Sequence, residues 1–154
     1  MSSSEYILSN VDEIINKKEL EFPLNMAMAG TWILGNFKAL NLKVIDMKDS
    51  TSLADYFVLA SASNMTQAQA MASELSKQMN RLGYEVLSKE GYNSNSDWIL
   101  IDIGDVIVHI FQETSRDVYD LDNLWNSPSI QIPNEYYYSS DNAENDAPED
   151  KGFF

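Results

Sequence analysis

The chain has 154 residues, a 44% apolar fraction and a net charge of −14 from 24 acidic and 10 basic side chains. That length predicts one domain with a core needing no covalent staple, and the absence of cysteine excludes disulfides, thiolate metal sites and cysteine nucleophiles. The acidic balance repels phosphate backbones and anionic lipid, which argues against direct DNA or membrane binding and favours a basic protein partner.

No apolar run approaches the ~18 residues of a membrane span. Glu5 stands where an export signal needs basic charge, and the acidic, arginine-free N-terminus is unlike a transit peptide, so the expected location is cytoplasmic. Charge divides the chain into three parts: residues 1–26 carry 5 acidic and 2 basic groups, residues 27–125 carry 13 and 7, and residues 126–154 carry 6 and 1. The expected organisation is an N-terminal arm over 1–26, a folded domain over 27–125 and an acidic, disordered tail over 126–154.

In the arm, Ser9 followed by Asp12 resembles a helix cap, and Val11, Ile14 and Ile15 form a thin apolar stripe. Pro23 ends any such helix, leaving two readings open: a short docking helix or an unordered arm. Residues 26–40 read as a helix with Ala29, Trp32, Ile33, Phe37 and Leu40 on one face. Gly30 and Gly35 weaken it by up to ~1 kcal/mol each relative to alanine.

Two strands follow, over Val44–Met47 and Tyr56–Ala60, both short and rich in β-branched or aromatic residues. Ala68, Met71, Ala72, Leu75, Met79 and Leu82 then recur at helical spacing, with Ser63 or Asn64 as the cap and Gly83 as the left-handed stop. Glu85–Ser88, Trp98–Ile103 and Val106–Phe111 read as three more strands, the last two joined by a tight turn at Gly104-Asp105. Thr114-Ser115-Arg116-Asp117 resembles a capping box opening a final helix that reaches Trp125.

This order predicts an α/β fold: a single small domain with a mixed, five-stranded sheet packed by helices. Beyond it, Pro128, Pro133 and Pro148 lie among Ser, Asn, Asp and Glu, a composition that buries too little apolar surface to offset ordering. Glu135-Tyr136-Tyr137-Tyr138 is the exception, able to add a strand or pack on a partner.

Side chains alternate along a strand. Ile99, Ile101 and Ile103 therefore form a core face, and Trp98, Leu100 and Asp102 face the other way, as an interface anchored by tryptophan would. The alternative is a tryptophan covered by the 88–97 loop or a terminal segment. His109, the only histidine, with Asp102 and Asp105 could be imagined as a general base or metal site, but one histidine and two carboxylates on a hairpin are weak evidence for either. Asp120-Leu121-Asp122 reads as a solvated helix face. There is no Gly-rich phosphate loop, nucleophile elbow or His-Glu-x-x-His motif, so a binding protein is expected rather than an enzyme, with no cofactor and no metal.

Four stretches in this order resemble the ribosomal silencing factor (RsfS, or Iojap) family. They are Ser52-Leu53-Ala54-Asp55-Tyr56-Phe57; Glu90-Gly91; the block of Trp98, Leu100, Asp102, Gly104, Asp105, Val108, His109 and Phe111; and Arg116, Tyr119, Leu121, Leu124 and Trp125. The resemblance spans about residues 27–125 and implies a nucleotidyltransferase-like topology without catalytic residues. It further implies a translation repressor that binds the large ribosomal subunit through its protein L-fourteen and blocks joining of the small subunit, mainly under nutrient limitation. It also implies a homodimer when the protein is free of the ribosome. On this reading Trp98, Leu100, Asp102, Asp105 and His109 are the ribosome-binding residues, and Arg116, Tyr119, Leu124 and Trp125 form a dimer or partner surface. The alternatives are a large-subunit assembly factor or a nucleotide-handling enzyme of the same topology.

Overall fold

A computed structural model describes residues 2–93, 96–123 and 126–138. Helix α1 spans Ser3–Ile15 and opens on a capping box, Glu5 N–H donating to Ser2 Oγ at 3.2 Å and Ser2 N–H to Glu5 Oε1 at 2.8 Å. The helix thus begins six residues before the cap expected at Ser9. Its stripe behaves as expected: Val11 and Ile14 are buried in the main core. The arm is therefore a docked helix, also tied by an Arg81–Asp12 ion pair at 2.9 Å.

Helix α2, Leu24–Asn36, is buried along nearly its whole length, from Asn25 to Gly35. A helix apolar on all sides needs cover on all sides, and α1, the sheet, the next helix and the C-terminal segment supply it. It stops four residues short of position 40, because Lys38 takes a left-handed backbone (φ 67°) and Leu40 already opens a strand.

That strand is β1, Leu40–Asp46, followed by β2, Tyr56–Ala62. Helix α3, Met65–Arg81, is capped by the Asn64 side chain and ends before Gly83 (φ 91°), as expected. Then come β3, Ser88–Glu90, shifted three residues from the expected start, β4, Trp98–Asp102, and β5, Val106–Gln112. Helix α4 covers only Glu113–Tyr119 and has no side-chain cap. Ser115 lies inside it, its hydroxyl donating to the carbonyls of Gln112 and Asp97. Asp120, in the left-handed region at φ 52°, ends the helix well before Trp125.

The sheet has six strands, one more than expected, in the order β3-β4-β5-β2-β1-β6, where β6 is Ser129–Ile130. Among the described strands only β2 and β5 pair in parallel, with α3 and the β3–β4 hairpin in the connection between them. The sixth strand lies in the segment expected to be disordered from 126 onward. Residues 126–138 instead cross the edge of β1 and reach α2, where Tyr136 is buried. Gly35 makes this possible: a Cβ there would sit 1.9 Å from the Tyr136 carbonyl oxygen. The rest of the expected tail, 139–154, lies outside the described residues.

The two sheet faces differ. Val44, Val58, Ala60, Ile99, Ile101, Val106, Val108 and Ile110 join the helices in the main core. On the opposite face Ile45, Phe57, Leu59, Ile107 and Phe111 form a second, smaller core with Met47, Ala54 and Leu121, and Trp98 and Leu100 pack at its margin. Among the described residues no helix is long and apolar enough to cross a membrane.

Candidate interaction surface

The site is built on β4, where burial alternates along the strand. Ile99 and Ile101 are fully buried, and Trp98, Leu100 and Asp102 are half-buried on the face away from α1–α3. Antiparallel pairing sets Trp98 opposite Phe111 and Leu100 opposite His109. The indole of Trp98 packs against Phe111 at 5.0 Å and Tyr119 at 4.6 Å between ring centroids. Its Nε1–H donates to His109 Nδ1 at 3.2 Å. Three neighbours therefore hold the tryptophan, which remains half-buried.

His109 lies on this side of the sheet but beneath its surface, 4% exposed, with the Phe57 ring 4.8 Å away. Burial pushes its pKa down from 6.5 to about 4, so the imidazole is neutral at pH 7. Since Nδ1 accepts from the indole, the ring proton resides on Nε2, which has no hydrogen-bond partner among the described residues.

Asp102 sits on the open face, but its Oδ1 accepts from Gly104 N–H at 2.8 Å and so belongs to the hairpin turn. Asp105 is exposed at the hairpin tip, and its carbonyl accepts from the N–H groups of Asp55 and Tyr56. The turn thereby joins the loop before β2 to the β4–β5 hairpin.

Tyr119, at the end of α4, donates its hydroxyl to Asp97 Oδ1 at 3.2 Å, and that bond holds the phenol pKa above its ordinary value. Its ring continues the surface begun by Trp98. Arg116, on the same helix, is 7% exposed and not on a surface. Its guanidinium makes two 2.9 Å bonds to Asp122 and one to Ser61 Oγ. The bond from Arg116 keeps the Asp122 carboxyl below the ordinary carboxylate range. Asp122 is thus a structural partner rather than part of a solvated helix face, and Leu121 beside it is buried. Leu124 and Trp125 lie outside the described residues.

Beside Trp98 is a shallow cleft of about 260 Å³ lined by Glu90, Gly91, Ser96, Trp98, Leu100 and Tyr119. Gly91, at φ 81°, forms its floor because a Cβ there would lie 2.3 Å from the Trp98 carbonyl oxygen. The roles of Asp97, Gly91 and the His109 acceptor depend on strand pairing, so only Gly91 left a local signal, a glycine within a polar loop. Among the described residues no group of three or more His, Asp or Glu side chains is placed to hold a metal ion.

A mixed sheet with α1–α3 on one face and an aromatic cluster on the other defines a single α/β domain. The family described as "Ribosomal silencing factor during starvation" matches residues 24–152, and the chain belongs to that family. It is 36% identical over 96 residues to the ribosomal silencing factor RsfS of Halalkalibacterium halodurans, covering 62% of this chain and 81% of that one. Over 88 residues it is 35% identical to RsfS of Bacillus subtilis, covering 57% and 74%. Against a mitochondrial Iojap-related protein of Arabidopsis thaliana it is 33% identical over 132 residues, covering 82% and 65%. The fold is similar to a crystal structure from Chromobacterium violaceum, with a TM-score of 0.61 at 25% identity over 79% of this chain and 91% of that one. A structure from Bacillus halodurans gives the same score at 33% identity, over 75% and 100%.

Proposed function

We propose that this protein represses translation by docking on the large ribosomal subunit through the ribosomal protein L-fourteen and so preventing the small subunit from joining, chiefly under nutrient limitation. The observation that carries this reading is the half-exposed Trp98, fixed by Phe111, Tyr119 and His109 on the sheet face opposite α1–α3. Rigid aromatic anchors of this kind dominate binding energy at protein interfaces. Trp98 and Leu100 supply apolar contact, and Asp102 and Asp105 add negative charge beside them. The net charge of −14 favours a basic ribosomal protein and opposes non-specific contact with ribosomal RNA. The free protein is a cytoplasmic homodimer and needs neither cofactor nor catalysis on this reading.

The test is a joining assay with purified, salt-washed subunits resolved on sucrose gradients. Added protein should migrate with the large subunit and shift joined ribosomes toward separate subunits. Co-migration without any loss of joined ribosomes would instead identify an assembly factor.

A further inference from the structure

We propose that His109 is a positioning residue, which orders the indole of Trp98 through its Nδ1 and makes no contact of its own with a partner. This rests on the reading that Trp98 anchors the docking surface.

The imidazole of His109 lies in an unfavourable place for a polar group. His109 is 4% exposed among Phe57, Phe111 and Trp98, and its Nε2–H has no acceptor among the described residues. A phenylalanine would fill the same space with no orphaned donor, and an unmade buried hydrogen bond is destabilising. The service the imidazole performs and a phenyl ring cannot is accepting the 3.2 Å bond from Trp98 Nε1–H. Phe111 and Tyr119 pack against the indole, with ring centroids 5.0 and 4.6 Å away, and the bond to His109 adds a directional restraint on its Nε1 edge. Ordering an anchor before it docks lowers the entropy lost on association. Burial is also what keeps the imidazole neutral and able to accept.

The experiment uses the full chain and three variants. His109→Phe keeps the ring volume and removes the acceptor; His109→Asn returns an oxygen acceptor near the position of Nδ1; Trp98→Ala reports on the surface itself. Nitrogen-15 chemical shifts of His109 in the parent should show an unprotonated Nδ1 and a protonated Nε2. The Trp98 indole N–H resonance should move in His109→Phe and return toward its parent position in His109→Asn. Affinity for isolated large subunits should fall by roughly tenfold in His109→Phe, the scale of one side chain's ordering entropy, and recover in His109→Asn.

The opposite tautomer in the parent would overturn the proposal without any variant needing to fold. A folded His109→Phe that binds like the parent, when Trp98→Ala binds weakly, would overturn the positioning role and leave the surface intact. Parent-like binding by Trp98→Ala would overturn the surface reading, and with it any contribution of His109 to docking.

Discussion

The rings of Trp98 and Tyr119 lie 4.6 Å apart, and Tyr119 reaches back through its hydroxyl to Asp97, the residue before the tryptophan. The start of β4 and the end of α4 are thereby one surface. Residues that resemblance divides between a ribosome-binding set and a partner set are neighbours here.

Tyr119→Ala should therefore weaken large-subunit binding by ~1 kcal/mol, the scale of one aromatic pair. Tyr119→Phe, which keeps the ring and loses only the exposed bond to Asp97, should bind nearly as the parent does. Equilibrium sedimentation with isolated large subunits would separate the two variants.

A second expectation concerns the C-terminal segment. Gly35→Ala places a methyl group 1.9 Å from the Tyr136 carbonyl oxygen. Backbone cannot yield as a flexible side chain can, so the segment must shift and the variant should lose about 1–3 kcal/mol of stability. Hydrogen exchange should show faster exchange at Asp46 N–H, which donates to Pro128 O, with central β2 and β5 still protected.

Arg116 gives a third. Its replacement by Met removes both guanidinium bonds to Asp122 and the one to Ser61, leaving the quarter-exposed carboxylate with Lys43 at 3.6 Å, and should cost about 1–3 kcal/mol, the scale of hydrogen bonds to a charged group. The sign with pH follows from the lowered Asp122 pKa. Stability from this pair is complete above the unfolded-state carboxylate pKa and is lost as pH falls through the lower folded value. Denaturant titrations at a series of acidic pH values should show that loss in the parent and a smaller one in Asp122→Asn.

His109 gives the opposite kind of group, a base held neutral. Its pKa falls from 6.5 to about 4 on folding, so between those values the unfolded chain binds more protons than the native one. Stability must then decline as pH drops from 6.5 toward 4, with no further loss from this group below that window. The melting temperature of His109→Phe should depend less steeply on pH across it. Equal slopes for parent and variant would show that the imidazole is not the group responsible.

Much of this was legible in residue order, for identifiable reasons. The β4 faces follow from strict alternation of three isoleucines with Trp98, Leu100 and Asp102, a local pattern that pairing only reinforces. The α3 stop was legible because Gly83 occupies a left-handed position. What was missed depended on distant partners. The α4 start was misplaced because the Ser115 hydroxyl bonds to the carbonyls of Gln112 and Asp97 rather than capping. Polar composition from 126 onward argued against order, yet Tyr136 finds a place against α2 that only Gly35 leaves open. The α1 start was different: Ser2 and Glu5 carry the spacing of a capping box in plain view. The resemblance places His109 among the ribosome-binding residues, and nothing local in the sequence reveals that Phe57, Phe111 and Trp98 bury it.

Trp98 is the central anchor of the proposed docking face. Binding of the parent and of Trp98→Ala to isolated large subunits should be measured side by side, with melting curves to establish that both are folded. A loss of ~2 kcal/mol or more, roughly thirtyfold in Kd, is the result expected of a central aromatic anchor. A folded Trp98→Ala that binds large subunits as tightly as the parent would contradict the assignment of this face.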